Sequence, residues 1–469
     1  IALLARPQSR LKVGTVKFRE EHRVPEWRTA VLGAIVLVVA VIGISGMLTR
    51  ANTLLLLNGF TFAMVTLSLV PLTGYAGQMS LAPLTFAGLG AIAMSKLPGN
   101  GNLLTLLVAV TIVAIVGAIV ALPALRLSGI YLALSTAAFA VMVSKMVFNQ
   151  RQTFQTGNIT VPVLKVPFVT IDTPRGRLIL ASIVFALLGL AVTAVRRSRL
   201  GRRLVALKDS PAAAATLGMS LTRTKLAAFA ISAAIAACAG ALAGDKVSPQ
   251  QYEFTQSLPI VLLAVVGGVG SVAGALFGGL LLGGNSVLAT IVPTVKNLTK
   301  IGPGTIGITL GRNPQGAASQ IGDAFRPLTQ QPRLVTISLT GAVAIWALTT
   351  VDAISHWTFF VTMIVWVLAV SPNLPALLAA DRGRRLVAGA WLAIGLAVSA
   401  GIDWGTALDA TGKRIIVIVG LVALFGVGAQ RFTENAPRVH TASPDLAGLD
   451  TAFTREEIEV AEQKIGVVI

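Results

Sequence analysis

Few residues in this sequence have types and spacings that could carry out chemistry on a substrate. The three histidines, His22, His356 and His440, lie far apart, and none stands at a spacing typical of metal ligands. The glycine runs between Gly267 and Gly284 contain no lysine, so the sequence lacks the loop that cradles nucleotide phosphates. We therefore expect no catalytic residues, no metal site, no cofactor and no ATP hydrolysis by this chain alone.

Charged residues within the apolar stretches are also scarce. Carriers driven by protons or sodium ions usually keep acidic residues within their membrane spans, because such costly groups are retained for function. The apolar runs before residue 300 hold almost none, and Lys145 lies near enough to the end of its run to reach the membrane surface. Two classes of transport protein remain, a passive pore and a carrier that a partner protein moves mechanically.

The composition indicates how these residues must be positioned. Of the 469 residues, 54% are hydrophobic and 12% are charged. Apolar runs of about twenty residues recur, which predicts an all-α polytopic membrane protein with about twelve transmembrane helices, within a range of about ten to thirteen. The net charge of +19 comes from basic clusters between these runs. Such clusters set membrane orientation, so we expect both termini in the cytoplasm and no nucleic-acid partner.

The order of polar and apolar segments divides the chain into five parts. They are a basic segment at 1–28, a transmembrane domain at 29–300, a polar linker at 301–333, an additional four-helix membrane module at 334–430 and a polar tail at 431–469. The basic leader is not followed by a short apolar run with a cleavage site, so we expect no signal peptide and a sequence that begins inside a longer product. Within the transmembrane domain, the glycine-rich run Leu258–Leu282 predicts one span that packs closely on its neighbours.

One polar stretch between two apolar runs has clear helix signals. Arginines cluster from Arg196 to Arg203, and Asp209-Ser210-Pro211 then has the residue types that begin a helix. Ala212 to Leu217 favours a short helix, and Gly218 is the residue type that most easily ends a helix in the left-handed conformation. From its composition, the stretch is either an ordinary cytoplasmic loop or a helix whose small residues allow another protein to approach closely.

Four segments, in order, resemble the LivM-like permease subunits of branched-chain amino acid ABC transporters. They are LTGYAGQMSLAPLTFAGLGAI at Leu72–Ile92, LRLSGIYLALSTAAFA at Leu125–Ala140, the basic stretch SRLGRRLVALKDSPAAAATLGMSLTRTKLAAF with the span after it, and SLPIVLLAVVGGVGSVAGALFGGLLLG at Ser257–Gly283. GITLGRNPQG is similar to a common tail of that family. The resemblance covers about residues 30–320 and gives no role to the four apolar runs that follow, which we interpret as a fused accessory module.

The resemblance implies a coupling helix at residues 209–220 that lies in a groove of a separate ATPase subunit. Its expected contact residues are Asp209, Ala213, Ala214, Ala215 and Gly218. It also implies import of leucine-like amino acids across the bacterial inner membrane, with ATP bound by the ATPase partner. The other implied partners are a second, LivH-like permease subunit and an extracytoplasmic solute-binding protein.

A route for such an amino acid needs an apolar lining and a few polar groups for its ammonium and carboxylate. The candidates within the similar segments are Tyr75, Gln78, Ser80, Tyr131, Ser135 and Thr136. Each of them could equally form only a hydrogen bond between helices. Two other functions stay open at this point. One is a permease for another small solute, such as urea, an amide or a sugar, and the other is a passive, channel-like membrane protein.

Overall fold

The computed structural model describes residues 27–291 and 332–433 apart from short gaps, together with Phe325 and Leu328. The gaps fall at 47, 100, 125–126, 128, 151–152, 155–156, 166–172, 245, 352–353 and 408–410. The predicted basic segment, linker and tail lie almost entirely outside the described residues, as do His22 and His440. The chain divides into two compact units, Ile1–Gly322 and Asp323–Ile469, and each is described by itself.

The described part of the first unit is almost entirely helical. Its helices are α1 (Trp27–Ser45), α2 (Arg50–Leu69), α3 (Pro83–Lys96), α4 (Leu103–Ala124), α5 (Gly129–Val143), α6 (Pro174–Arg197), α7 (Arg199–Asp209), α8 (Pro211–Thr216), α9 (Leu221–Ala241), α10 (Phe254–Gly267) and α11 (Val272–Ile291). Short π-helical segments, Val70–Tyr75 and Ser144–Phe148, continue α2 and α5. Two short strands, β1 (Ile159–Thr160) and β2 (Lys246–Val247), pair antiparallel between the helices.

Helix α9 forms the centre of this unit and packs against α2, α3 and α4. Its buried face consists largely of alanine and glycine, which lets neighbouring backbones approach closely. A Cβ atom built on Gly240 would overlap the backbone of Ala87 in α3, and one on Gly90 would overlap the backbone of Ala237. Neither glycine position therefore has room for a side chain.

The predicted close packing of the glycine-rich run is confirmed at its C-terminal half. Helix α11 lies against α2, where a Cβ atom on Gly279 would overlap the backbone of Ala63 and one on Gly283 would overlap the backbone of Gly59. In lipid, apolar burial gives helices little reason to associate, so such close backbone contacts carry much of the association energy.

The prediction of a single span at Leu258–Leu282 is wrong. The helix stops at Gly267 and restarts at Val272, because Gly268 adopts a φ of 105° that ends α10. The Ser271 hydroxyl then accepts a hydrogen bond from the Gly274 N–H at 2.9 Å and caps the first turn of α11. The composition of this run is apolar throughout, so it does not reveal a break that depends on one glycine conformation.

The described part of the second unit contains four longer helices and two short ones. They are α12 (Pro332–Thr350), α13 (His356–Val365), α14 (Leu374–Ala379), α15 (Arg382–Gly401), α16 (Trp404–Ala407) and α17 (Thr411–Thr433). A π-helical segment, Trp366–Val370, extends α13. The Asn373 amide is buried and donates to the carbonyl oxygens of Ala369 at 2.7 Å and Gly426 at 3.3 Å, so it joins α17 to the rest of the unit.

The predicted fold class, a polytopic all-α membrane protein, is confirmed. Among the described residues, eight helical segments are long and apolar enough to cross a membrane. They contain α1, α2, α4, α5, α6, α9, α12 and α13. The other four predicted spans fall on α3, on the α10–α11 pair, on α15 and on α17.

Candidate functional site

Helix α7 is an amphipathic helix at the end of α6, and the sequence analysis interpreted its residues only as an arginine cluster. The Ser198 hydroxyl caps it by accepting a hydrogen bond from the Gly201 N–H at 3.3 Å. Leu204 and Leu207 are buried against the unit, whereas Arg202 and Arg203 are exposed. The apolar spacing of three residues, which is typical of one helix face, was the signal that could have predicted this helix.

The predicted short helix after Asp209 is present as α8. The Ser210 hydroxyl accepts a hydrogen bond from the Ala213 N–H at 3.3 Å, and Pro211 occupies the first turn. The C-terminal end is a Schellman motif, because the Gly218 N–H bonds the Ala215 carbonyl at 3.0 Å and the next N–H bonds the Ala214 carbonyl at 3.1 Å. Gly218 has a φ of 77°, which is the conformation that this motif requires.

The surface of α8 differs in one respect from the predicted contact set. Asp209, Ala213, Ala215 and Gly218 are exposed, but Ala214 is buried at 4% exposure and its methyl group faces the protein. Leu217, which the sequence analysis did not single out, is 88% exposed. Leu217 and the small exposed residues beside it are therefore accessible to a partner protein.

The α2–α3 connection contains the first of two helix interruptions. After the π-helical turn ends at Tyr75, the chain is not helical from Gly77 to Ala82, and α3 begins at Pro83. Gly77 adopts a φ of 66°. The connection carries Gln78 and Ser80, two of the predicted pathway residues, so it is a candidate for a functional segment.

The second interruption, between α10 and α11, lies against the end of the α2 span, directly before the first. A Cβ atom on Gly74 would come within 3.0 Å of the Gly270 Cα and closer still to the Val269 carbonyl oxygen. Gly74, in the last helical turn before the first interruption, therefore contacts the backbone of the second interruption at Val269 and Gly270. Both glycines lie in glycine-rich stretches, and no local pattern in the sequence predicts this contact.

Four of the six predicted pathway residues lie on or next to the first interruption. Tyr75 is buried, and the guanidinium carbon of Arg196 lies 5.6 Å from the centre of its ring, within the range of a cation–π interaction. The Gln78 Oε1 atom is buried with no hydrogen-bond partner among the described residues. Ser80 is buried, and the Thr136 hydroxyl of α5 accepts a hydrogen bond from the Leu81 N–H at 2.9 Å.

The other two predicted pathway residues are placed differently. The Ser135 hydroxyl donates to the Leu132 carbonyl of its own helix at 2.9 Å. Tyr131 is 72% exposed at the start of α5. The structure therefore brings Tyr75, Gln78 and Thr136 to one segment and leaves Tyr131 at the surface of this chain.

The described residues contain no group of three or more histidine, cysteine, aspartate or glutamate side chains that could hold a metal ion. The arrangement instead consists of an exposed capped helix, an amphipathic helix and two adjoining helix interruptions. Chemically, such a set can dock a protein and rearrange backbone around a small solute.

Comparison with known proteins agrees with this description. The family model for the permease component of branched-chain amino acid transport systems matches residues 52–304, which is more than half of the chain. The chain is 30% identical over 238 residues to the high-affinity branched-chain amino acid transport system permease protein LivM of Salmonella typhimurium strain LT2, a match that covers 44% of this chain and 54% of that protein. It is 29% identical over 249 residues to LivM of Escherichia coli K12, which covers 46% of this chain and 57% of that protein.

A shorter match relates the chain to the permease protein LivH of Escherichia coli K12, with 39% identity over 91 residues, or 19% of this chain and 30% of that protein. The chain spans about half the length of the LivM relatives it matches. No solved structure matches it. The family model nevertheless spans both helix interruptions and the whole α7–α8 segment, and the chain belongs to the family of branched-chain amino acid transport system permease components.

Proposed function

We propose that this chain is a membrane-spanning permease subunit of an ATP-binding-cassette importer for branched-chain amino acids. The observation that carries the proposal is the α7–α8 segment, a rigidly capped helix that presents Leu217 and Gly218 to solvent between two membrane spans. The segment lies within the residues that match the permease family. The LivM relatives are named as high-affinity transporters of branched-chain amino acids, which supports the same solute class here.

In this proposal, energy comes from a separate ATPase subunit, and ATP is bound there rather than by this chain. Small exposed residues, Ala213 and Ala215, allow a groove of the ATPase to approach the α8 backbone, and Leu217 fills an apolar pocket of that groove. Closure of the ATPase dimer would then move α8 and α7 together, because only Ser210 separates them.

The moving part of the permease is the pair of helix interruptions. The backbone from Gly77 to Ala82 makes few of the hydrogen bonds that hold a helix rigid, so it can change shape at lower cost than the spans around it. The Gln78 amide oxygen, which has no partner among the described residues, is placed to accept a hydrogen bond from a solute ammonium group. Thr136 holds this segment against α5.

The further partners follow from the family. We infer a second, LivH-like permease subunit, an extracytoplasmic solute-binding protein that delivers the amino acid, and a location in the bacterial inner membrane with both termini in the cytoplasm. The basic residues Arg197, Arg199, Arg202 and Arg203 at the α6–α7 junction are exposed, which supports a cytoplasmic position for that junction under the positive-inside rule.

The test is uptake of labelled leucine into proteoliposomes that contain this chain with its ATPase, its second permease subunit and its binding protein. We expect uptake only with hydrolysable ATP inside, and we expect unlabelled isoleucine and valine to compete. Competition by urea, an amide or a sugar in place of these amino acids would assign a different solute. If uptake proceeds equally without ATP, the importer proposal is wrong and the chain is a passive channel.

A further inference from the structure

The Lys208 side chain joins the α7–α8 segment, which we call the coupling segment, to the end of the α2 span beside the first helix interruption. Lys208 is the second-last residue of α7, three positions before α8 begins at Pro211. Its ammonium donates a hydrogen bond to the Gly74 carbonyl oxygen at 2.8 Å, although the two residues are 134 positions apart in the sequence. Resting on the proposed function, we propose that Lys208 is a positioning residue that transmits movement of α7 and α8 to this interruption.

The ammonium charge and the helix dipole strengthen the hydrogen bond between Lys208 and Gly74. The Gly74 carbonyl lies in the last turn of the α2 span, where backbone carbonyls form the negative end of the helix dipole. A lysine ammonium there makes a charge-assisted hydrogen bond, which is about twice as strong as a neutral one. Arg196 adds a second cation at the same helix end through the Tyr75 ring. Both cations belong to the α6–α7 segment, so this one segment stabilises the C-terminal end of the α2 span.

The methylene stem of Lys208 packs against Gly77 in the first interruption. A Cβ atom on Gly77 would lie 3.0 Å from the Lys208 Cγ and 3.4 Å from its Cβ. Gly77 also has a φ of 66°, a conformation that residues with side chains rarely adopt. The lysine therefore contacts Gly77 through the start of its stem and Gly74 through its ammonium, and both contacts link the position of α7 to this backbone.

Movement at this point has a direct path to the second interruption. Gly74, which accepts the Lys208 hydrogen bond, is the same residue whose Cα faces the Val269 carbonyl and Gly270. A shift of α7 that pulls on Gly74 therefore changes the backbone contact between the end of the α2 span and the second interruption. Because packed cores switch between discrete arrangements rather than deforming smoothly, a small shift here can reposition both segments.

The test separates ATP hydrolysis from transport in the reconstituted complex of full-length chain, ATPase, second permease subunit and binding protein. Lys208→Met removes the ammonium and keeps the methylene stem. We expect ATP hydrolysis to stay within about twofold of wild type while the maximal uptake rate falls roughly tenfold, the scale that loss of a charge-assisted hydrogen bond supports. The leucine concentration for half-maximal uptake should not change, and Lys208→Arg should recover most of the rate.

Arg203→Met is the matched control, because Arg203 is an exposed cation on the same helix and makes no hydrogen bond to the described backbone of α2. If Lys208→Met and Arg203→Met transport equally well, the positioning role is wrong. If Lys208→Met cannot be recovered as folded protein, Gly77→Ala replaces it, since its methyl group presses on the lysine stem without removing the charge. Wild-type coupling in Gly77→Ala would then overturn the proposal, and hydrolysis without uptake would support it.

These outcomes are distinct from failure of the proposed function. Absence of ATP-driven uptake in the wild-type complex contradicts the importer itself, whatever the variants do. A wild-type complex that transports, with a Lys208→Met complex that transports equally, contradicts only the role of Lys208.

Discussion

The contact between Gly117 of α4 and Ala233 of α9 allows a quantitative test of how the spans are held together. A Cβ atom on Gly117 would lie closer to the Ala233 Cβ than 3.0 Å, a separation that such atoms essentially never show, while the next nearest atom, the Phe229 carbonyl oxygen, is 3.1 Å away. One methyl group is therefore the main obstacle to a side chain at Gly117. We expect Gly117→Ala to cost about 1–3 kcal/mol of stability through overpacking.

The substitution on the facing helix, Ala233→Gly, should rescue Gly117→Ala when the two are combined. Ala233→Gly alone should cost about 2 kcal/mol, from about 1 kcal/mol of helix propensity and about 1 kcal/mol for the methyl-sized void. In the double variant the methyl group simply changes helix, so the clash and the void cancel, as do the two propensity changes. The double variant should then lie within about 1 kcal/mol of wild type, and the coupling energy, which combines the clash and the void, should reach about 2–4 kcal/mol.

The assay is reversible unfolding of the full-length chain in mixed micelles by titration with sodium dodecyl sulfate. Gly33→Ala in α1 is the control, because no atom lies within 4 Å of a Cβ atom built there, and it should not destabilise the protein. A contrasting pair is Gly279→Ala with Ala63→Gly, in which the obstacle is backbone and no rescue is expected. Additive losses in the Gly117→Ala and Ala233→Gly double variant would refute the reasoning.

Three other changes each test one feature of the structure. Leu217→Arg should abolish ATP-driven uptake yet shift the free energy of unfolding by less than about 0.5 kcal/mol, because the side chain is 88% exposed; a larger shift in the same titration would mean that Leu217 packs within the chain. Ser210→Ala should weaken α8 by about 1 kcal/mol through loss of its cap, whereas Ser210→Gly should cost only a few tenths; hydrogen exchange of the α8 amides measures this, and equal protection in both variants would contradict it. Truncation after Gly322 should leave the first unit folded, since it is a compact unit by itself; a lost unfolding transition in detergent would show that the unit depends on the second.

Local signals in the sequence predicted much of the fold and of the coupling segment. The apolar runs predicted the positions of most long helices, because a helix in lipid must satisfy its own backbone hydrogen bonds over a fixed length. Ser210, Pro211 and Gly218 predicted both ends of α8, because capping depends on a few neighbouring residues. Membership of the family followed from ordered motifs and is confirmed by the match over residues 52–304.

The remaining features depend on contacts between distant residues. Gly74 contacts Val269 and Gly270, directly after the break at Gly268, and these residues are far apart in the sequence. The Lys208 hydrogen bond spans 134 positions and leaves no local pattern. Ala214 is buried and Leu217 is exposed because of the orientation in which α8 packs on the unit. The composition of α8 does not specify this orientation.

The most direct test of the importer compares two glycine variants in the reconstituted complex. Gly218 and Gly157 both have positive φ values, 77° and 98°, and a Cβ atom on either would meet nothing within 4 Å, so an arginine strains the backbone similarly at both. Gly218→Arg blocks the proposed docking surface, whereas Gly157 lies on the other side of the membrane in the predicted topology. We predict that ATP-driven leucine uptake is lost in Gly218→Arg and kept in Gly157→Arg, with both proteins inserted in the membrane. Equal uptake by the two variants, or uptake by either without ATP, would contradict the account.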